Sequence, residues 1–138
     1  MNIRSETEQL LDALKSTYFS NQANGTIEYL QGECKLLSLL RLDKEKKWQP
    51  GELSKTLGVS TARIAATLRT LENKKYIIRE SSSEDKRKVY VTITDEGSAY
   101  TDNRREQVCE FFDKRMSILT PEERKEFIRI IKKLSEHR

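Results

Sequence analysis

The stretch PGELSKTLGVS, Pro50 to Ser60, narrows the folds open to this chain more than any other. Pro50 suits a first helical turn, where its missing amide hydrogen is no loss. Leu53 and Leu57, four residues apart, give that turn-and-a-half one apolar side. Gly58 is placed to end it in a left-handed conformation, and only Val59 intervenes before Ser60, a preferred N-cap residue. The next segment, Thr61 to about Lys74, carries Ile64, Leu68 and Leu71 at helical spacing. Two short helices joined by a tight glycine-containing turn form a helix-turn-helix.

The flanks fill in around it. Leu10, Leu11, Leu14, Tyr18 and Phe19 predict an amphipathic helix over residues 5–20, broken by Asn21 to Gly25. A second helix is expected from about Ile27 to Leu42, with Leu30, Cys34, Leu36, Leu37 and Leu40 on one broad stripe, followed by a charged connector from Asp43 to Lys47. After the helix-turn-helix, Tyr76 to Glu80 reads as a strand. Val89, Val91 and Ile93 then alternate with Tyr90, Thr92 and Thr94, the period-2 pattern of a half-buried strand. Together they make a hairpin. Thr94 is placed to cap a long helix with Asp95 and Glu96 in its first turn, where negative charge suits the dipole. That helix carries Val108, Phe111, Phe112 and Met116. Thr120-Pro121-Glu122-Glu123 has the form of a capping box and opens a last amphipathic helix bearing Phe127, Ile128, Ile131 and Leu134. The expected fold is a single domain over residues 1–138, mainly α with a small β-hairpin wing.

Composition sets limits on function. Charged residues make up 35% of the 138 and apolar ones 36%, recurring at regular intervals, which argues against disorder. Apolar runs fall far short of the ~20 residues a membrane span needs, and the first residues lack a signal-peptide core, so a cytoplasmic chain is expected. The net charge of +4 is localised: residues 50–90 hold nine Lys/Arg against five acids, and the remainder balances. A confined basic field is the footprint expected of a nucleic-acid-binding surface. Cys34 and Cys109 lie on separate helical segments and read as core positions rather than a disulfide framework. The one histidine, His137, is penultimate, and no Cys/His cluster suggests a metal. No nucleophile-base pairing and no glycine-rich phosphate loop is present, so neither an enzyme nor a cofactor is expected.

With Ile64, Leu68 and Leu71 facing the core, the helical period turns Ala62, Ala66, Arg69 and Asn73 outward, flanked by Arg63, Thr67 and Thr70. Small residues keep bulk low where a helix must enter a groove about 12 Å wide. Arginine can read guanine edges, and Ala and Thr methyls suit thymine methyls. At the hairpin tip, Lys86, Arg87 and Lys88 can neutralise phosphates or enter the minor groove. Asp85, two residues before Arg87, is expected to hold the tip by hydrogen bonds to backbone or guanidinium.

From Leu53 to Gly97 the chain resembles the winged helix-turn-helix of the MarR family of transcriptional regulators. The resemblance rests on Ile64/Leu68/Leu71, on Arg79 ending the first strand, on Asp85-Lys86-Arg87, and on Ile93-Thr94-Asp95-Glu96-Gly97 at the strand-to-helix junction. With its flanking helices it extends over nearly the whole chain. It implies a DNA-binding part at 27–94 and dimerisation helices at 1–22 and 95–138, forming a homodimer on a pseudo-palindromic operator in double-stranded DNA, usually as a repressor. It also implies major-groove readout from Ser60, Thr61, Ala62, Arg63, Ala66, Thr67, Arg69 and Thr70. Arg79 joins the DNA-binding set, Arg87 would enter the minor groove beside Lys86 and Lys88, and Asp85 would position it. A small aromatic or anionic effector is implied between the dimer helices and the winged part, where Tyr18, Tyr29, Leu30 and Cys34 are the candidates. Redox sensing through Cys34 or Cys109 on the same scaffold is the alternative. Two departures stand out: Lys75 occupies a turn where the family usually has glycine, predicting a strained or different turn, and Ala66 stands where many members carry arginine.

Overall fold

The computed structural model describes residues 2–18 and 29–137. Its elements, in chain order, are α1 (Ile3–Tyr18), α2 (Gly32–Leu42), α3 (Pro50–Leu57), α4 (Thr61–Asn73), β1 (Ile77–Ser81), β2 (Val89–Ile93), α5 (Asp95–Met116) and α6 (Pro121–Glu136). The expected helices and hairpin are all present, and the fold is mainly helical with a two-stranded antiparallel wing. The Asn21-to-Gly25 break lies outside the described residues.

Local chemistry accounts for the boundaries. Gly58 adopts φ +66° and ends α3, and the hydroxyl of Ser60 accepts the Arg63 amide at 3.2 Å to start α4. Pro50 opens α3 together with a reciprocal pairing of Gln49 and Glu52 that the sequence pattern did not suggest. Thr120 and Glu123 form the expected capping box at the start of α6. The helix expected over 27–42 is interrupted. Gln31 is extended and Gly32 sits at φ +60°, so α2 starts at Gly32 and Leu30 is left 59% exposed instead of joining the stripe.

The core lies between α2, α3, α4, the wing and the start of α5. Leu36, Leu37 and Leu40 of α2 meet Leu53, Ile64, Leu68, Leu71, Ile77, Val91 and Ile93 there. Each fully buried aliphatic of this kind contributes roughly 1.5–3 kcal/mol. Trp48 joins them, 8% exposed, and its backbone exchanges hydrogen bonds with Val91 (3.0 and 2.7 Å), adding a short third rung to the hairpin.

Helix α5 touches this core through its first turns, where Gly97, Ser98 and Thr101 are buried. Beyond them Cys109 is exposed, which corrects its reading as a core position: α5 has by then run past the cluster that would cover it. Helix α6 buries none of its residues. Phe127, Ile128, Ile131 and Leu134 are 43–66% exposed, and Leu10, Leu11 and Leu14 of α1 are 37–55% exposed.

Candidate nucleic-acid interface

Two features of the fold meet the chemistry expected of a DNA surface. The first is α4. Ile64, Leu68 and Leu71 are buried, 2% exposed or less, which fixes the roll of the helix. Thr61, Ala62, Arg63, Ala66, Arg69, Thr70 and Asn73 are all exposed, Ser60 is exposed at the cap, and Thr67 is half-buried. The hydroxyls of Thr67 and Thr70 donate to the carbonyls of Arg63 and Ala66 (2.9 and 3.2 Å). The face is therefore bare of acids until Glu72.

The second is the wing. Its strands pair from Ile77 opposite Ile93 to Ser81 opposite Val89. Beyond that ladder the Ser82 amide donates to the Lys88 carbonyl at 2.8 Å, and the Ser82 hydroxyl accepts the amides of Glu84 and Asp85 (3.2 and 3.3 Å). Asp85 Oδ1 accepts both the backbone amide and Nε of Arg87, as expected of it. Lys86, Arg87 and Lys88 are exposed around this braced turn.

The junction of α4 and β1 is tightly tied. Lys75 adopts φ +65°, the strained left-handed turn predicted for a lysine at this position. Its carbonyl accepts the Thr94 hydroxyl at 2.7 Å, while the Tyr76 carbonyl accepts the Thr94 amide at 3.0 Å. Gly97 follows because the backbone passes too close for a side chain: a Cβ there would lie 2.2 Å from the Tyr76 carbonyl oxygen.

Arg79 is engaged within the fold. Its Nη2 and Nε donate to the two carboxylate oxygens of Glu72 at 2.9 and 3.2 Å. That fork holds the Glu72 carboxyl below the usual carboxylate range and raises the Arg79 guanidinium correspondingly.

The four candidate effector residues fare unevenly. The Tyr18 side chain lies outside the described residues, Tyr29 is half-buried, and Leu30 is largely exposed. Cys34 lines a cavity of about 430 Å³ with Gln31, Gly32, Glu33, Arg63, Lys74 and Tyr100. Burial, with Cys34 alongside, pushes the Tyr100 phenol upward, and its ring stacks on Tyr76 at 4.6 Å. Arg63 belongs both to this cavity and to the exposed face of α4. Trp48 and the Glu72–Arg79 fork were missed by sequence reasoning. A lone tryptophan just before Pro50 was the available signal for the first; nothing marked the second.

Residues 33–112 match the Winged helix DNA-binding domain family. The chain belongs to that family. This winged helix protein is a DNA-binding regulator of the helix-turn-helix type. It is 36% identical over 69 residues to the HTH-type transcriptional repressor YetL of Bacillus subtilis, an alignment spanning 50% of this chain and 41% of YetL. It is 28% identical over 141 residues to the uncharacterized HTH-type transcriptional regulator YpoP of the same organism, covering 100% of both. Its fold is that of wild-type MarR from E. coli in the apo form, with a TM-score of 0.67 at 23% identity over 92% of this chain and 95% of that one. The winged helix assignment agrees with the MarR-like architecture expected from the motifs. Among the described residues no cluster of three or more His, Cys, Asp and Glu could hold a metal, and no helix is long and apolar enough to cross a membrane.

Proposed function

We propose that the chain is a cytoplasmic, homodimeric transcriptional repressor that reads a pseudo-palindromic operator in double-stranded DNA. The observation that carries this reading is the division of α4: its apolar stripe is wholly consumed by the core, and Ala62, Arg63, Ala66, Arg69 and Thr70 are left as a bare outward face. In the bound state Ser60 to Thr70 line the major groove. Lys86, Arg87 and Lys88 follow the adjacent phosphates or minor groove, with Asp85 aiming Arg87. Each phosphate neutralised releases counterions, so binding falls steeply with salt.

The exposed apolar residues of α1 and α6 support the dimer: among the described residues, Leu10, Leu14, Phe127, Ile128 and Ile131 stay 37–55% exposed within one chain. Residues 1–22 and 95–138 form the dimerisation part and 27–94 the DNA-binding part. The repressor assignment is supported by the partial relationship to YetL. A small aromatic or anionic effector fits the cavity at Cys34, where Arg63 supplies positive charge, Lys74 is held by Glu33 at 2.9 Å, and Tyr100 supplies an aromatic wall. Occupying it engages Arg63 and withdraws that side chain from DNA.

Selection of binding sites from random duplex DNA tests the reading. Enriched sequences are expected to contain an inverted repeat with half-sites about one helical turn, about 10 base pairs, apart. Enrichment of single unpaired half-sites would contradict the dimer, and no enrichment at all would contradict sequence-specific binding.

A further inference from the structure

Glu72 is the sole acid of α4, and it stands in the last turn of the helix that carries the exposed basic face. An isolated carboxylate there would oppose DNA phosphates. It is instead joined by both oxygens to Arg79 in the middle of β1. Arg79 lies opposite Val91 in the hairpin ladder, and Val91 is fully buried and also paired to Trp48. The fork therefore connects the end of α4 to the middle of the hairpin ladder, at the rung that Trp48 also holds. The chain between its two members passes through the strained Lys75 turn, so this connection is independent of the backbone path.

From this geometry we infer that the Glu72–Arg79 fork is a positioning strut that sets the wing at a fixed angle to α4, and that Arg79 acts through Glu72 rather than on DNA. The inference rests on the DNA-binding reading above. A bidentate guanidinium–carboxylate pair fixes orientation as well as distance. Arg87 lies beyond Arg79 along the hairpin, so a small tilt at the Arg79 rung becomes a larger displacement at the tip. Contacts of this kind depend on placement within about 0.5 Å. The worth of the strut is thus read in DNA geometry, since the pair itself is partly exposed, with side chains 30% and 40% accessible, and adds little to stability.

The test uses the duplex most enriched by the wild-type protein, at one salt concentration, with thermal unfolding of every variant as the control for folding. Glu72→Ala removes a negative charge from a basic surface, yet it is expected to weaken binding roughly fivefold or more, because the wing loses its angle. The exchanged pair Glu72→Arg/Arg79→Glu is expected to recover most of what Arg79→Glu alone loses. Arg87→Ala should cost roughly tenfold in the wild type. In an Arg79→Gln background it should cost less than about twofold, since a misplaced tip has little left to lose. Glu72→Ala binding at or above wild-type strength would overturn the strut, as would additive losses from Arg79→Gln and Arg87→Ala. A wild type that enriches no duplex removes the DNA-binding reading itself, whereas enrichment with additive losses leaves that reading standing and removes the strut alone.

Discussion

Asp85 and Arg87 form a two-residue clasp: one carboxylate oxygen, Oδ1, takes the Arg87 amide at 3.0 Å and its Nε at 3.3 Å, while the Arg87 side chain remains 93% exposed. The head of the guanidinium is aimed without being covered. Asp85→Ala separates aiming from charge. It raises the net positive charge of the tip, which by simple attraction strengthens DNA binding. Loss of aim weakens it, and that is the expected result, a several-fold rise in Kd. Because exposed pairs contribute about 0–1 kcal/mol, the unfolding midpoint should barely move. Fluorescence anisotropy with a labelled duplex, beside a thermal melt, separates the two effects.

Gly97→Ala should be severely destabilising. The added methyl would sit 2.2 Å from the Tyr76 carbonyl oxygen and 2.9 Å from Ile93 Cγ1, and the carbonyl is held by the Thr94 amide. Neither neighbour is the free end of a flexible side chain. A loss of roughly 2 kcal/mol or more is expected from such overpacking. Urea unfolding reads it directly.

Lys75→Gly should do the reverse. A non-glycine residue at φ +65° carries a cost of about 1–2 kcal/mol, partly offset by the greater freedom glycine adds to the unfolded chain. A net gain of about 0.5 kcal/mol is expected in the same urea experiment. No gain would mean that the Lys75 turn is relaxed.

Ile131→Glu places a charge in the exposed apolar face of α6, where Ile131 is 52% accessible and no residue of the helix is buried within the chain. If that face is the dimer seam, sedimentation velocity should show a monomer in place of a dimer at micromolar concentration. DNA affinity should fall with it, since each protomer then carries a single half-site reader.

Much of this was legible because local rules and tertiary packing agree over residues 50–97. Gly58, Ser60 and Thr94 each announce a helix end chemically, and Val89, Val91 and Ile93 reveal a strand by alternation. What escaped was non-local. Trp48, just past the charged connector, carries no local signal because its role comes from pairing with Val91, forty-three residues away. Arg79 is legible as the arginine ending the first strand, whereas its partner Glu72 is chosen by the fold of the intervening turn. Apolar spacing carries the stripe of α2 on through Leu30, but the left-handed backbone of Gly32 starts the helix anew. Cys109 is exposed for a related reason: periodicity finds an apolar face but does not say whether the core reaches that far along the helix.

The most direct test of the DNA-binding account is the salt dependence of affinity for the selected duplex, compared between wild type and Arg87→Ala. If the wing tip neutralises phosphate, the plot of log Kd against log salt should be shallower for the variant by about one unit per protomer, with weaker binding at low salt. Parallel lines of equal affinity would contradict the account.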